Sequence, residues 1–322
     1  MDILISEDLQ GPAIERLAQR YQIVRDGGLW KEPQRLLSTI GKARALMVRN
    51  QTQVTAELLR AAPELLGVGR LGVGLDNIDV ATATSLGVVV VAPFNANATS
   101  VAELTLGLIL ALARKIPQAD RSTKEGAWDR KGCTGIELAG KTLAICGLGR
   151  IGGLVASRAR AFGMKLVAFD LFVKPDSPAL RESGALLRGS LEEALSGADF
   201  VSVHLPLTSE TQHVFSRKMF AATKPGAYFV NTSRGGVVDE TALLEALQTG
   251  QLAGAGLDVR ETEPPVKKGV LESLPNVLLM PHIGAFTAEA QERTFEAVAG
   301  DMDRLLSGQP VVNFVNMDRP KR

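Results

Sequence analysis

A glycine turn and a handful of ionisable side chains are the features of this 322-residue chain that could do chemistry. Gly147-Leu148-Gly149-Arg150-Ile151-Gly152 has the spacing G-x-G-x-x-G. It follows the apolar run Leu143-Ala144-Ile145-Cys146 and opens a helical pattern, and Asp170 stands 18 positions after Gly152 at the end of the next apolar run. A dinucleotide fingerprint needs that placement. Its glycines permit a tight turn and close backbone approach to a pyrophosphate, whose charge rests on a helix N-terminus. Asp170 can accept hydrogen bonds from ribose hydroxyls and would repel a 2′-phosphate. No arginine follows it in Leu171-Phe172-Val173-Lys174, so NAD is expected over NADP.

Acid–base candidates are few. Of the three histidines, His213 lies in a polar stretch after Ser209-Glu210-Thr211-Gln212 and reads as a surface residue. His204 ends the apolar run Phe200-Val201-Ser202-Val203, where it could line the cofactor site or simply pack as a structural histidine. His282 ends Val277-Leu278-Leu279-Met280-Pro281 and is followed closely by Gly284. Both sit where a parallel strand meets the carboxyl edge of its sheet, the side on which such sheets bind ligands. Arg234, in the turn Thr232-Ser233-Arg234-Gly235-Gly236, suits either anion binding or a surface turn. Glu263 precedes Pro264-Pro265 and has no role that spacing alone reveals.

The elements behind these residues alternate. Ile3-Leu4-Ile5, Ala45–Val48 and Val88–Val91 have the pattern of buried strands, with helices expected over Ile14–Tyr21 and Ala56–Ala62. A long helix is expected from Ser100 to about Arg114, with Ser100 as its cap, Glu103 at capping-box spacing and Pro117 limiting its far end. Six further strands are expected at Thr142–Cys146, Leu166–Phe169, Phe200–His204, Tyr228–Asn231, Ala255–Val259 and Val277–Met280. Helices such as Ile151–Phe162 and Glu240–Thr249 fall between them. Strand-then-helix repetition predicts an α/β protein with two doubly wound parallel sheets, the second of Rossmann type. A last helix over about Thr287–Leu306 precedes an apolar tail, Pro310–Val315, too short to fold alone and expected to rejoin the N-terminal domain. The expected division is residues 1–97 with 286–322 as one domain and 98–285 as the other.

Composition narrows the function classes. With 36 basic and 35 acidic residues the net charge is +1, and no basic run offers an electrostatic footprint for nucleic acid or an anionic membrane. Two cysteines, Cys133 and Cys146, are too few for a disulfide framework. The N-terminus lacks the basic segment and cleavage site of a signal peptide, and Leu104–Ala113 is about half of the roughly 20 residues a membrane helix needs. A cytoplasmic enzyme without a metal centre is the expectation.

The segments Gly147–Gly152, Asn231–Asp239, Leu257–Val259 to Glu263-Pro264-Pro265, and Pro281–Gly284, in that order, resemble the signatures of the D-isomer-specific 2-hydroxyacid dehydrogenase family. Gly72-Val73-Gly74-Leu75-Asp76-Asn77-Ile78-Asp79 resembles that family's substrate-domain loop. The resemblance implies two flavodoxin-like domains with a cleft between them, a homodimer formed through the cofactor domain, and hydride transfer between NAD and a small D-2-hydroxy acid. It implies that Arg234, Glu263 and His282 are the catalytic residues. His282 would exchange the hydroxyl proton, Glu263 would hold the imidazolium at its second nitrogen, and Arg234 would bind the carboxylate and the C2 oxygen. Backbone amides around Val73 and Gly74, with Asn97 close by, would complete the carboxylate site. Arg150, Ile151, Asp170, Pro206, Thr211, Thr232, Asp258 and Gly284, besides Gly147, Gly149, Gly152 and His204, would line the NAD site.

Within the family, Ala102–Ile109, Ala113–Ala119 and Gly69–Gly74 resemble the phosphoglycerate-dehydrogenase branch. Arg49 and Arg70 match arginines of that branch and would suit a distal phosphate or sulfonate, unless they are ordinary surface arginines. The expected substrate is therefore 3-phosphoglycerate (phosphohydroxypyruvate in reduction) or a similar acid with a distal anion. Three features depart from the branch: no regulatory domain follows Val315, Phe94-Asn95-Ala96-Asn97 lacks the glycine expected before the asparagine, and Phe286 replaces a small polar residue. Glyoxylate or hydroxypyruvate reduction, sulfolactate oxidation and, from another class, an NAD-binding corepressor-like scaffold are the alternatives.

Overall fold

The structure, a computed structural model, describes residues 1–321. The chain divides into two compact units, one formed by Met1–Asn97 with the segment from Ala285 onward, the other by Ala98–Gly284. Each is a wholly parallel sheet covered by helices, the α/β architecture the strand–helix alternation predicts.

The first unit has five strands, β1 (Ile3–Ile5), β2 (Ile23–Arg25), β3 (Ala45–Val48), β4 (Gly67–Arg70) and β5 (Val89–Val91), in the order β2-β1-β3-β4-β5. Period-two alternation divides its core. Ile3, Ile5, Met47 and Val89 pack towards helices Pro12–Ala18 and Ala288–Leu306, while Leu4, Leu46, Val68 and Val90 pack towards Pro33–Ile40 and Ala56–Arg60. The tail runs along β5, with the Val315 N–H donating to the Val90 carbonyl at 2.8 Å and Phe314 bridging Val91.

The second unit has seven strands, β6 (Thr142–Cys146), β7 (Lys165–Phe169), β8 (Leu186–Leu187), β9 (Phe200–Val203), β10 (Ala227–Asn231), β11 (Leu252–Leu257) and β12 (Val277–Leu279), in the order β12-β11-β10-β9-β6-β7-β8. The direction of winding reverses between β6 and β9, and ligands of doubly wound sheets bind at the carboxyl ends beside such a point. Ala144, Cys146, Val201 and Phe229 face one layer of helices; Leu143, Ile145, Phe200 and Val230 face the helices Ala98–Ala113 and Arg150–Ala161.

Three strands and one cap differ from expectation. β4, which carries glycines at 67 and 69, is not among the expected strands. These glycines admit helix Ala288–Leu306, because a Cβ would stand 2.7 Å from Leu305 Cδ2 at Gly67 and 2.8 Å from Val298 Cγ1 at Gly69. β2 is an edge strand with two exposed residues of three, and β8 has only two residues, so neither presents a buried run. Ser100 is not a cap: its helix begins at Ala98, and its buried hydroxyl donates to the Gly284 carbonyl at 2.6 Å.

Candidate active site

β10, β11 and β12 are parallel neighbours, so the segments leaving their carboxyl ends emerge side by side. Arg234 leaves β10, Glu263 leaves β11 and His282 leaves β12. The structure joins two of them directly: His282 Nδ1 and Glu263 Oε2 are 2.6 Å apart. The other glutamate oxygen, Oε1, accepts the backbone N–H of Arg260 at 2.8 Å. Burial alone would raise the Glu263 carboxyl. The His282 and Arg260 hydrogen bonds and the charges of His282 and Arg234 outweigh it and hold the group below the ordinary glutamate range. An ionised carboxylate on Nδ1 fixes the tautomer and leaves Nε2 for a ligand, and the His282 side chain is 45% exposed, so a ligand can reach it. The Arg234 turn is built by Asn231, whose side chain donates to the Arg234 carbonyl at 2.9 Å and accepts from Ser233 N at 3.0 Å.

His282 has φ +55°, a left-handed conformation that costs a non-glycine residue on the order of 1–3 kcal/mol unless its surroundings impose it. Asp258 imposes it. Its backbone carbonyl accepts His282 N, and its carboxylate oxygens accept Ile283 N and Gly284 N, each at 2.8 Å. Asp258 is buried, which raises its carboxyl despite those two amides. Expected as an NAD contact, it directs its carboxylate to this turn. In sequence Asp258 falls within the expected strand Ala255–Val259, and only the family resemblance marks it; the observed strand ends one residue earlier, at Leu257.

The glycine turn leaves β6 beside the winding reversal. Gly147 has φ +97°, and a Cβ there would lie 2.7 Å from the His204 carbonyl oxygen; one on Gly152 would lie 2.1 Å from the Gly147 oxygen. At Gly149 a Cβ would meet nothing within 4 Å. That open space at the start of helix Arg150–Ala161, with Arg150 exposed and Ile151 half-buried, fits a pyrophosphate at the helix N-terminus. Asp170 accepts from Leu148 N at 2.8 Å with one oxygen and from Phe172 N and Val173 N with the other, tying the end of β7 to the turn. The residues present therefore fit a dinucleotide.

The remaining expected NAD contacts are distributed around this edge. His204 Nε2 lies 2.7 Å from Ser202 Oγ, its Nδ1 is buried with no partner among the described residues, and burial pushes its pKa down to about 3. It is neutral, and it touches the glycine turn through its carbonyl. Thr211 Oγ1 donates to the Pro206 carbonyl at 2.6 Å and accepts Thr208 N at 2.8 Å, closing an exposed loop. The buried Thr232 hydroxyl lies 2.8 Å from that of Thr105. His213 pairs with Glu261 at 2.8 Å on the surface. Cys146 is buried, and burial raises its thiol to about 12.

In the first unit Val48 pairs with Arg70 across β3 and β4, so Arg49 and Arg70 stand at adjacent strand ends. The half-buried Arg70 guanidinium folds over Gly72, where an added Cβ would overlap its Nη1. Val73 and Gly74 follow in the same loop, half-buried and buried. Arg49 lies over the Phe286 ring, its Cζ 4.2 Å from the ring centroid, and donates to Gln291 Oε1 at 2.9 Å. Burial lowers its pKa from the usual arginine value and the charge of Glu7 opposes this. Glu7 was not anticipated from sequence: its buried carboxylate accepts the backbone N–H groups of Arg49, Asn50, Gln51 and Thr52 at 2.8–3.3 Å. Asn97 is buried, and its Oδ1 has no partner among the described residues.

No helix among the described residues is long and apolar enough to cross a membrane. The D-3-phosphoglycerate dehydrogenase of Methanocaldococcus jannaschii is 45% identical over 98% of this chain, which spans 59% of that protein's length. The chain thus covers about three-fifths of the curated relatives it matches. A solved structure from Thermus thermophilus superposes with a TM-score of 0.91 at 36% identity, covering 98% of this chain and 100% of that one. A glyoxylate reductase from Paecilomyes thermophila superposes at 0.88 with 31% identity over 98% of each chain. Residues 106–284 match the family model described as D-isomer specific 2-hydroxyacid dehydrogenase, NAD binding domain, and the chain belongs to that family.

Proposed function

We propose that the protein is an NAD-dependent dehydrogenase of D-2-hydroxy acids with a distal anion, most simply 3-phosphoglycerate and its 2-keto partner. The observation that carries the reaction class is the His282–Glu263 contact of 2.6 Å at the strand ends that also deliver Arg234. In reduction His282 donates a proton from Nε2 to the C2 oxygen, and in oxidation it takes that proton back. Glu263 keeps Nδ1 protonated and supports the imidazolium that forms. Arg234 binds the carboxylate and polarises the C2 oxygen. NAD held at the glycine turn would supply the hydride-transfer chemistry at C2. Gly147, Gly149 and Gly152 with Asp170 hold that cofactor. A homodimer is the proposed assembly.

Arg49 and Arg70, at adjacent strand ends of the first unit, support the distal anion, with Val73, Gly74 and Asn97 assigned to the carboxylate. The test is an NADH-oxidation screen of the holoenzyme over phosphohydroxypyruvate, sulfopyruvate, hydroxypyruvate, glyoxylate and pyruvate. Higher kcat/KM for the first two is expected. A wide margin for hydroxypyruvate or glyoxylate would overturn the role of the two arginines and favour the reductase reading. Turnover of none of the five would overturn the reaction class.

A further inference from the structure

Glu263 can orient His282 only if the turn that carries it is itself held, and one side chain outside the expected set holds it. The Arg260 side chain is 14% exposed, and its guanidinium grips two carboxylates. Its Nε and Nη2 donate to the two oxygens of Glu240 at 2.8 and 2.9 Å, and its Nη1 donates to Glu272 Oε1 at 2.6 Å. Glu240 opens the helix Glu240–Gln248 and also accepts the backbone N–H of Glu261 at 2.8 Å. The backbone of Arg260 then reaches both parts of the reacting edge. Its N–H donates to Glu263 Oε1, the oxygen opposite the one that meets His282. Its carbonyl oxygen lies 1.8 Å from where a Cβ on Gly235 would stand, so it abuts the residue that follows Arg234.

We propose that Arg260 is a positioning residue: through its fork onto Glu240 and Glu272 it fixes the turn that aims Glu263 at His282. Fork geometry matters because a guanidinium bound on three nitrogens has little angular freedom, whereas a single ammonium contact would let the turn swing. Stability alone is a poor explanation of the cluster. Enclosing one cation with two carboxylates is often no better for folding than an apolar side chain of similar volume. The inference rests on Glu263 and His282 having the roles assigned above.

Charge and position can be separated by sign. Asp258 and Glu263 face His282, the charge of Arg234 reaches Glu263, and Glu261 with its partner His213 lies beside the Arg260 cluster. Removing the Arg260 cation leaves Glu240 and Glu272 uncompensated, and added negative charge favours an imidazolium. A purely electrostatic role therefore moves the pH midpoint for reduction upward in Arg260→Met. Loss of Glu263 orientation weakens support for the imidazolium and moves it downward.

The experiment measures kcat, KM and the pH profile of 2-keto-acid reduction for Arg260→Met, Arg260→Lys and Glu263→Gln, together with NMR titration of the histidine rings. For Arg260→Met, kcat falls about tenfold with KM for NADH little changed, and the midpoint moves to lower pH. Arg260→Lys, which keeps the charge and loses the fork, shows a smaller change of the same sign and serves if Arg260→Met does not fold, because a purely electrostatic role predicts no shift for it. Glu263→Gln shows the largest change. An unchanged or raised midpoint in Arg260→Met, with a thermal melt like that of the parent, overturns the positioning role. An unchanged profile in Glu263→Gln overturns the underlying role of Glu263 instead.

Discussion

The carboxyl edges of the two sheets both hold carboxylates on backbone amides, but only one also pairs ionisable side chains in the contacts described above. At the edge of the seven-stranded sheet, titratable side chains bond one another: His282 with Glu263, Arg260 with Glu240 and Glu272, His213 with Glu261. At the edge of the five-stranded sheet, the hydrogen-bond and ring partners of Glu7 and Arg49 are groups that do not titrate. Glu7 accepts backbone amides, and Arg49 rests on an aromatic ring and a glutamine. In the first set of contacts both partners are ionisable side chains; in the second they are not. On the proposed reading, proton chemistry belongs to one edge, while the other offers a cation whose charge stays fixed across physiological pH.

The largest break in that contrast is His282→Ala. General acid–base catalysis by a placed histidine contributes about 10²–10⁴-fold, so kcat for reduction of the preferred 2-keto acid falls by about a thousandfold. Isothermal titration with NADH shows affinity within a few-fold of the parent, because the glycine turn and Asp170 are untouched. In the parent, reduction needs the protonated ring and declines as pH rises, whereas oxidation needs the neutral ring and declines as pH falls. Glu263, held below the ordinary glutamate range, stays ionised across both profiles. A variant that keeps its turnover and both slopes would remove His282 from the chemistry.

Those two edges were not equally legible in sequence. The glycine turn and Asp170 obey a spacing rule whose physical reason is local, so the residues announce themselves. His282 and Arg234 stood out only as strand-end residues, and Glu263 gained a role solely from the family resemblance, because a contact between neighbouring strands leaves no mark along the chain. β4 was missed for a related reason: its glycines answer to a helix far along the chain, at Val298 and Leu305. Glu7 and Arg260 are set apart by nothing but their partners. Phe286, which read as a departure with an unknown consequence, proves to be the surface on which Arg49 lies.

A smaller effect is expected from Arg49→Met, which keeps the length of the stem and removes the charge. Hydrogen bonds to charged groups are worth about 1.5–3 kcal/mol, so KM for phosphohydroxypyruvate rises by about 10- to 100-fold. The KM for hydroxypyruvate, which has no distal anion, moves little, and kcat is kept for both. Above about pH 7, where the phosphate is fully ionised, the rise does not change with pH, as a fixed charge on the protein requires. Equal losses on both keto acids would show that Arg49 supports the fold of its loop and makes no distinction at the distal group.

The smallest and sharpest test is Phe286→Ala. The ring is 57% exposed and the cation–ring distance is 4.2 Å, a geometry worth about 0.5–1 kcal/mol at an exposed site. Without the ring the guanidinium keeps its Gln291 hydrogen bond and regains motion about its stem, so each encounter with a distal anion costs more ordering. KM for phosphohydroxypyruvate then rises about two- to fivefold, again with hydroxypyruvate unaffected. The double variant Arg49→Met/Phe286→Ala is no worse than Arg49→Met alone, since the ring acts through the arginine. A fall in KM would mean the opposite: that the ring holds Arg49 away from its ligand, and that the bulk at position 286 restrains binding.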